Sequence, residues 1–301
     1  MSADDGCRRY RDIRLTEERA QLVGWIRSVV EEYGRQGMNI SVRQVYYQAV
    51  ARGYAPSSGS TYARIQSALN DGRIAGLIPW HLVVDRGRGL RGLRTQTSPA
   101  AALRSARASY RLDLWADQEW RPEIWVEKAA LEGVVGDICS ADDMRVDHYA
   151  TRGYDSQSQQ YEAGQRMARY VRAGQRPIVF HLGDHDPSGV DMTRDVQERL
   201  SMFAGVPVLV QRLALTMPQV RQYDPPPFRV KATDSRAADY RARHGGSAWE
   251  LDALDPSVLR ELVREAVLRV RDPDVWEDSL AREVGDLREL DEMIEAATGD
   301  D

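Results

Sequence analysis

Lysine is almost missing from this 301-residue chain: of 41 basic residues, Lys128 and Lys231 are the only lysines and the rest are arginines. An ammonium is a compact point charge and a guanidinium a planar fork, so a retained lysine points to a place where the fork does not serve, with chance placement as the alternative. Cysteine is as scarce. Cys7 and Cys139 stand far apart without CxxC spacing, which excludes a disulfide framework and a cysteine-based zinc site. No apolar run approaches the roughly 20 residues that span a bilayer. The stretch MSADDGCRRYRD has no apolar segment of the secretory kind, so a cytoplasmic protein without membrane contact is expected. Repeats, low-complexity tracts and a P-loop are all absent.

What is present is uneven. The net charge is −5, yet residues 35–111 hold twelve arginines against two acids, a local charge of +10. Such a block suits a polyanion, of which double-stranded DNA is the commonest; a solvated arginine face is the alternative. The length allows about two domains. The expected divisions are a disordered terminus at 1–14, a mainly helical DNA-binding unit at 15–95, a connector at 96–122, an α/β domain at 123–215, and an extension with amphipathic helices at 216–301.

In the front unit, Thr16 precedes Glu17 and Glu18 and caps a helix whose apolar residues run from Leu22 to Tyr33. Ser41 starts a second helix with the stripe Val42, Val45, Tyr46 and Ala49. Arg43 and Tyr47 fall off that stripe, one turn apart, and share a face. Tyr46 is therefore expected in the core and Tyr47 beside a guanidinium, where a phenol could attack phosphorus; an ordinary surface tyrosine is the alternative. A third helix over about 60–72 follows, then a strand from LIPWHLVV and the loop DRGRGLRGLR. Three helices, a strand and a basic loop read as a winged helix. Arg64, Arg73, Arg86, Arg88, Arg91 and Arg94 are its candidate DNA contacts, lying along phosphates.

From Glu123 the pattern alternates: strands at EIWVEK, 145–150, the run Ile178–Val179–Phe180 and 206–215, with helices between. That alternation predicts a Rossmann-like parallel sheet covered on both faces, with ligands at the carboxyl ends of its strands. Glu127 ends the first strand. Asp184 and Asp186 follow the third, in GDHDPSG. Three acids at one rim suit a hard cation with oxygen ligands, most plausibly Mg²⁺; the alternative is that the two aspartates cap the next helix. Lys128 adjoins Glu127. Lys231 opens KATDSR, where it reaches either the rim or a salt-bridged surface loop. The acidic helices at 256–270 and 276–297 fit a packed cap or a dimer surface better than a catalytic role.

Taken together, R-x-x-Y-Y (Arg43, Tyr46, Tyr47), then V-E-K (Glu127, Lys128), then G-D-x-D-P-x-G (Gly183 to Gly189) resembles the topoisomerase VI A subunit and its meiotic double-strand-break relatives over about residues 20–215. The resemblance implies an α/β Toprim domain preceded by a winged helix. It implies type IIB topoisomerase-like chemistry: Tyr47 as a nucleophile that becomes joined to a 5′ end, Arg43 beside it, and Glu127, Asp184 and Asp186 holding Mg²⁺, Glu127 also counting among the catalytic residues. It further implies a homodimer in which the tyrosine of one protomer works with the metal of the other. A separate ATPase subunit would be needed for strand passage, because this chain contains no ATPase segment. Two other readings stay open: a Toprim nuclease using metal-activated water, and a non-catalytic DNA-binding accessory protein.

Overall fold

The computed structural model describes residues 7, 9–83, 95–151, 157–230 and 236–298. In the front half each helix starts on a side chain that satisfies backbone donors left bare in a first turn. Thr16 accepts from Arg19 N–H ahead of α1 (Glu17–Arg35), Ser41 closes a capping box with Gln44 ahead of α2 (Val42–Ala51), and Ser58 accepts from Thr61 N–H ahead of α3 (Gly59–Ile74). Ile26, Val30, Val45, Ala49, Ile65 and Leu69 meet in one core. Burying each of the larger ones contributes about 2–3 kcal/mol.

The strand expected after α3 does not form among the described residues. Pro79 leads into a 3-10 turn at Trp80–Leu82, and Val83 makes a single parallel bridge to Ile40. Proline offers no N–H to a ladder, and the Arg73 guanidinium caps the carbonyls of Trp80 and Val83. The basic loop carrying Arg86, Arg88, Arg91 and Arg94 lies outside the described residues, as does Lys231.

The second half is mixed α/β. Strands β1 (Trp120–Val126), β2 (Asp147–Ala150), β3 (Arg176–Leu182) and β4 (Leu209–Ala214) form one parallel sheet in the order β2-β1-β3-β4. Alternate residues feed opposite cores, as the pleat requires. Ile124, Val126, Ile178, Phe180 and Leu182 face α5 (Ala129–Cys139), whereas Trp125 and Val179 face α6 (Gln157–Arg172) and α7 (Pro187–Ala204). The register sets Val126 beside Leu182, so the carboxyl ends of β1 and β3 lie side by side.

Past the sheet run α8 (Met217–Tyr223), a short antiparallel pair β5 (Phe228–Arg229) and β6 (Ser247–Ala248), and α9 (Ala237–His244) between them. The last two helices are more than an appended cap. Leu259, Val263, Ala266 and Val267 of α10 (Pro256–Val270) pack into the same core as β1 and β3. Trp276 of α11 (Pro273–Thr298) meets Trp115 edge-on at 5.4 Å between ring centres. The connector helix α4 (Pro99–Ser109) pairs with α11 through Arg107 and Asp291 at 2.9 Å. Among the described residues, no helix is long and apolar enough to cross a membrane.

Candidate active site

Glu127 extends β1 by one residue, its N–H donating to Leu182 carbonyl at 2.8 Å, which carries its carboxylate over the loop after β3. There Oε2 accepts the Asp184 N–H at 3.1 Å. The approach is close enough that a Cβ on Gly183 would sit 2.8 Å from Oε2, and one on Gly189 would sit 2.3 Å from the Asp184 carbonyl oxygen. Asp184 accepts from Leu251 N–H through Oδ1 at 2.8 Å and faces Lys128 through Oδ2 at 3.0 Å. Asp186 caps α7, accepting from Gly189 N–H through Oδ1 at 2.7 Å. The strand ends at Leu182, so both aspartates lie in the loop beyond it and strand pleating does not set their directions.

Lys128 is the hub. Its ammonium lies 3.0 Å from Asp184, 2.9 Å from Asp252 and 3.3 Å from Glu250. Three carboxylates around one point charge is a task for a short, rotatable donor set, and a planar guanidinium does not fit it. Glu250 and Asp252 come from the tail. They are pinned to the rim by paired backbone bonds between His185 and Trp249, at 2.8 and 3.0 Å, and by Leu251 on Asp184. Beneath the loop, Arg212 of β4 donates to the carbonyls of Gly183 (3.0 Å), Gly189 (2.8 Å) and Leu215 (3.0 Å) and holds the turn in place.

Tyr47 joins the same cluster. Its hydroxyl donates to Glu250 Oε2, the oxygen that Arg43 also contacts, and Arg43 Nε stands 2.5 Å from Asp252 Oδ2 as an ion pair without hydrogen-bond alignment. Tyr46 is in the core and Tyr47 stands beside Arg43, 5.9 Å from guanidinium carbon to ring centre, but Tyr47 is as buried as its neighbour, 9% against 8% exposed. The face of α2 that the sequence leaves polar is covered by the turn Leu251–Ala253 and the residues beside it. Tyr46 instead bonds Ser57 at 3.0 Å. Both rings border a cavity of about 310 Å³ that Arg43, Tyr62, Phe228 and Glu250 also line, which gives the Tyr47 side chain an approach from outside.

Electrostatics follow from this crowding. Burial, then the Asp184 charge, push the Glu127 carboxyl up to about 7; burial pushes Asp184 up to about 6 against the pull of Lys128. Burial, the Asp252 charge and the bond to Glu250 raise the Tyr47 phenol well above its ordinary value. Burial alone would raise Glu250 as well, but Tyr47, Lys128 and Arg43 outweigh it and hold that carboxylate below the usual range.

For Mg²⁺ the donor chemistry fits. Glu127 and Asp184 offer hard oxygens of the kind a dication takes, and both hold their protons more tightly than usual chiefly because they are buried. The geometry is less complete: among the described residues no three His, Cys, Asp or Glu side chains form a ready-made metal cluster.

Of the expected DNA contacts, Arg64 is on the surface, paired with Glu18 at 3.1 Å. Arg73 is 9% exposed and lies over the Trp80 ring, so it serves the bundle and not an outer surface. Glu250, Asp252 and Arg212 are the site residues that sequence reading missed. The one signal for them was an arginine inside the apolar run VPVLVQRLAL and a pair of acids inside WELDAL. The chain matches no known family model and no curated protein.

Proposed function

We propose that this chain is a Mg²⁺-dependent DNA strand transferase. It would cut and rejoin DNA through a phosphotyrosyl ester at Tyr47, with a winged-helix front unit and a Toprim-type α/β domain, in the manner of a type IIB topoisomerase A subunit. The observation that carries this reading is the cluster that links phenol to rim, Tyr47 to Glu250, Glu250 to Lys128 and Lys128 to Asp184; it lies within one chain, whereas the resemblance implies pairing across two protomers. A phenol is a poor nucleophile near neutral pH, and Arg43 beside it is placed to draw a phosphate to it. Glu127, Asp184 and Asp186 would hold the metal, which would supply charge neutralisation at the scissile phosphate. Double-stranded DNA is the substrate in this reading, and a homodimer is needed because two strands require two tyrosines. A full topoisomerase cycle would need a separate ATPase subunit.

A second reading, a Toprim nuclease that hydrolyses DNA with metal-activated water, is favoured by the burial of Tyr47 and by its strongly held proton. Plasmid incubated with protein and Mg²⁺, stopped with detergent and assayed with and without protease, separates the two. Strand transfer predicts protein-linked breaks that vanish in Tyr47→Phe and persist in Tyr46→Phe. Cleavage that survives in Tyr47→Phe but is lost in Asp184→Ala would establish the hydrolytic reading instead.

A further inference from the structure

We infer that Glu250 is the catalytic group that takes the proton from Tyr47 during strand transfer, and that an arriving DNA phosphate switches it on by drawing Arg43 away. The inference rests on the reading of Tyr47 as the nucleophile and adds a residue that lies outside both sequence motifs. Glu250 touches the reacting oxygen directly. A general base has to lie within hydrogen-bond reach of the proton it removes, and of the acids at this site Glu250 is the one bonded to the phenol. Asp184 and Glu127 are reached from it only through Lys128 and the loop. Its position is fixed from behind by the His185–Trp249 backbone pair and by Leu251 N–H on Asp184.

The groups facing Glu250 are Arg43 and Tyr47 from α2 and Lys128 from the end of β1, with Asp252 drawing on both cations from the far side. Two cations on one carboxylate make a weak base at rest. The cavity beside Tyr47 has Arg43 in its wall, and a phosphodiester entering it competes for that guanidinium, since fork-to-phosphate pairing is strong and geometrically favoured. Each contact transferred from Glu250 to the phosphate raises the basicity of the carboxylate while the phosphorus is within reach of the phenol. Basicity is thereby coupled to occupancy, and the tyrosine stays protonated in the empty protein.

The step balances without a further reactant. Tyr47 Oη forms a bond to phosphorus, the bond from phosphorus to the 3′ oxygen breaks, the phenolic proton passes to Glu250, and the departing 3′ oxygen takes a proton from solvent. The products are a 5′-phosphotyrosyl ester and a 3′ hydroxyl. Rejoining runs the same transfers backwards, with Glu250 returning the proton to the phenol.

The test uses the full chain, supercoiled plasmid and Mg²⁺, and it compares wild type, Glu250→Gln and Glu250→Asp. Removing a general base costs about 100-fold or more in rate. Glu250→Gln is therefore expected to lose protein-linked adducts by about that factor at saturating plasmid, with plasmid retention on filters no weaker than in wild type because Arg43 is freed, and Glu250→Asp to recover part of the rate. Carbon-13 labelling of tyrosine Cζ supplies a readout without DNA. The Tyr47 resonance, identified by its loss in Tyr47→Phe, should shift in Glu250→Gln and titrate at lower pH than in wild type. Adduct formation by Glu250→Gln within about threefold of wild type, or a Tyr47 resonance that ignores the substitution, overturns the inference alone. A wild-type protein that cuts without forming adducts overturns the strand-transfer reading, and the inference falls with it.

Discussion

Replacing Glu127 by glutamine should make this protein more stable at pH 8 and leave it little changed at pH 5. The wild-type carboxyl is carried from its ordinary 4.5 to about 7 by burial and by the Asp184 charge. It binds its proton more tightly in the folded chain than in the unfolded one. Its contribution to stability is therefore full below about pH 4.5 and declines as pH rises through 7, because the folded state must then ionise a carboxyl that its surroundings disfavour. At about 1.4 kcal/mol for each tenfold change in proton affinity, the loss at pH 8 is roughly 3 kcal/mol, and at pH 5 less than about 1 kcal/mol. Residual solvent contact trims the difference to about 2 kcal/mol. Glutamine keeps an oxygen for the Asp184 N–H and carries no charge, so the variant avoids the cost of ionising a buried carboxyl. Urea unfolding followed by tryptophan fluorescence at both pH values measures it directly. Millimolar Mg²⁺ should narrow the gap at pH 8 by stabilising wild type more than the variant. A stability difference that stays flat between pH 5 and pH 8 would refute the reasoning, since it would mean that Glu127 titrates as an ordinary surface acid.

Lys128→Met leaves Asp184, Glu250 and Asp252 without their shared ammonium and should cost about 3–5 kcal/mol in urea unfolding; a loss under about 1 kcal/mol would show that Arg43 and solvent suffice. Gly189→Ala drives a methyl to 2.3 Å from the Asp184 carbonyl oxygen and 3.0 Å from Glu127, so the loop must shift. A loss of about 2 kcal/mol or more and the disappearance of plasmid cleavage are expected, and a fully active, fully stable variant would contradict the close packing of the rim.

Much of the architecture was open to reading from residue order. Short continuous apolar runs against helical stripes located the parallel sheet, because a strand buried on both faces and an amphipathic helix leave different spacings. Thr16 and Ser41 marked helix starts because their side chains answer a local need. Even the alternative for Asp186, a helix cap, was local and is the one observed. Reading was less successful where a local pattern met a distant partner. LIPWHLVV is apolar enough for a strand, yet Pro79 and the Arg73 guanidinium, folded back from α3, make a turn of it.

The chain's own order thus determined the alternating strands and helices of the α/β part and the acids that follow its strands, since each depends on neighbours within a few residues, whereas the order of strands in the sheet did not follow from it. What only the tertiary structure decided is which charges meet. Tyr47 was legible as a neighbour of Arg43 but not as buried, because the segment that covers it is distant in sequence, with Glu250 203 residues away. Lys128 gained its purpose from Asp252 and Glu250, which arrive by way of a two-bond backbone pairing that no periodicity announces. Burial and proton affinity belong to the assembled cluster, because they depend on distances between groups that the covalent chain keeps far apart.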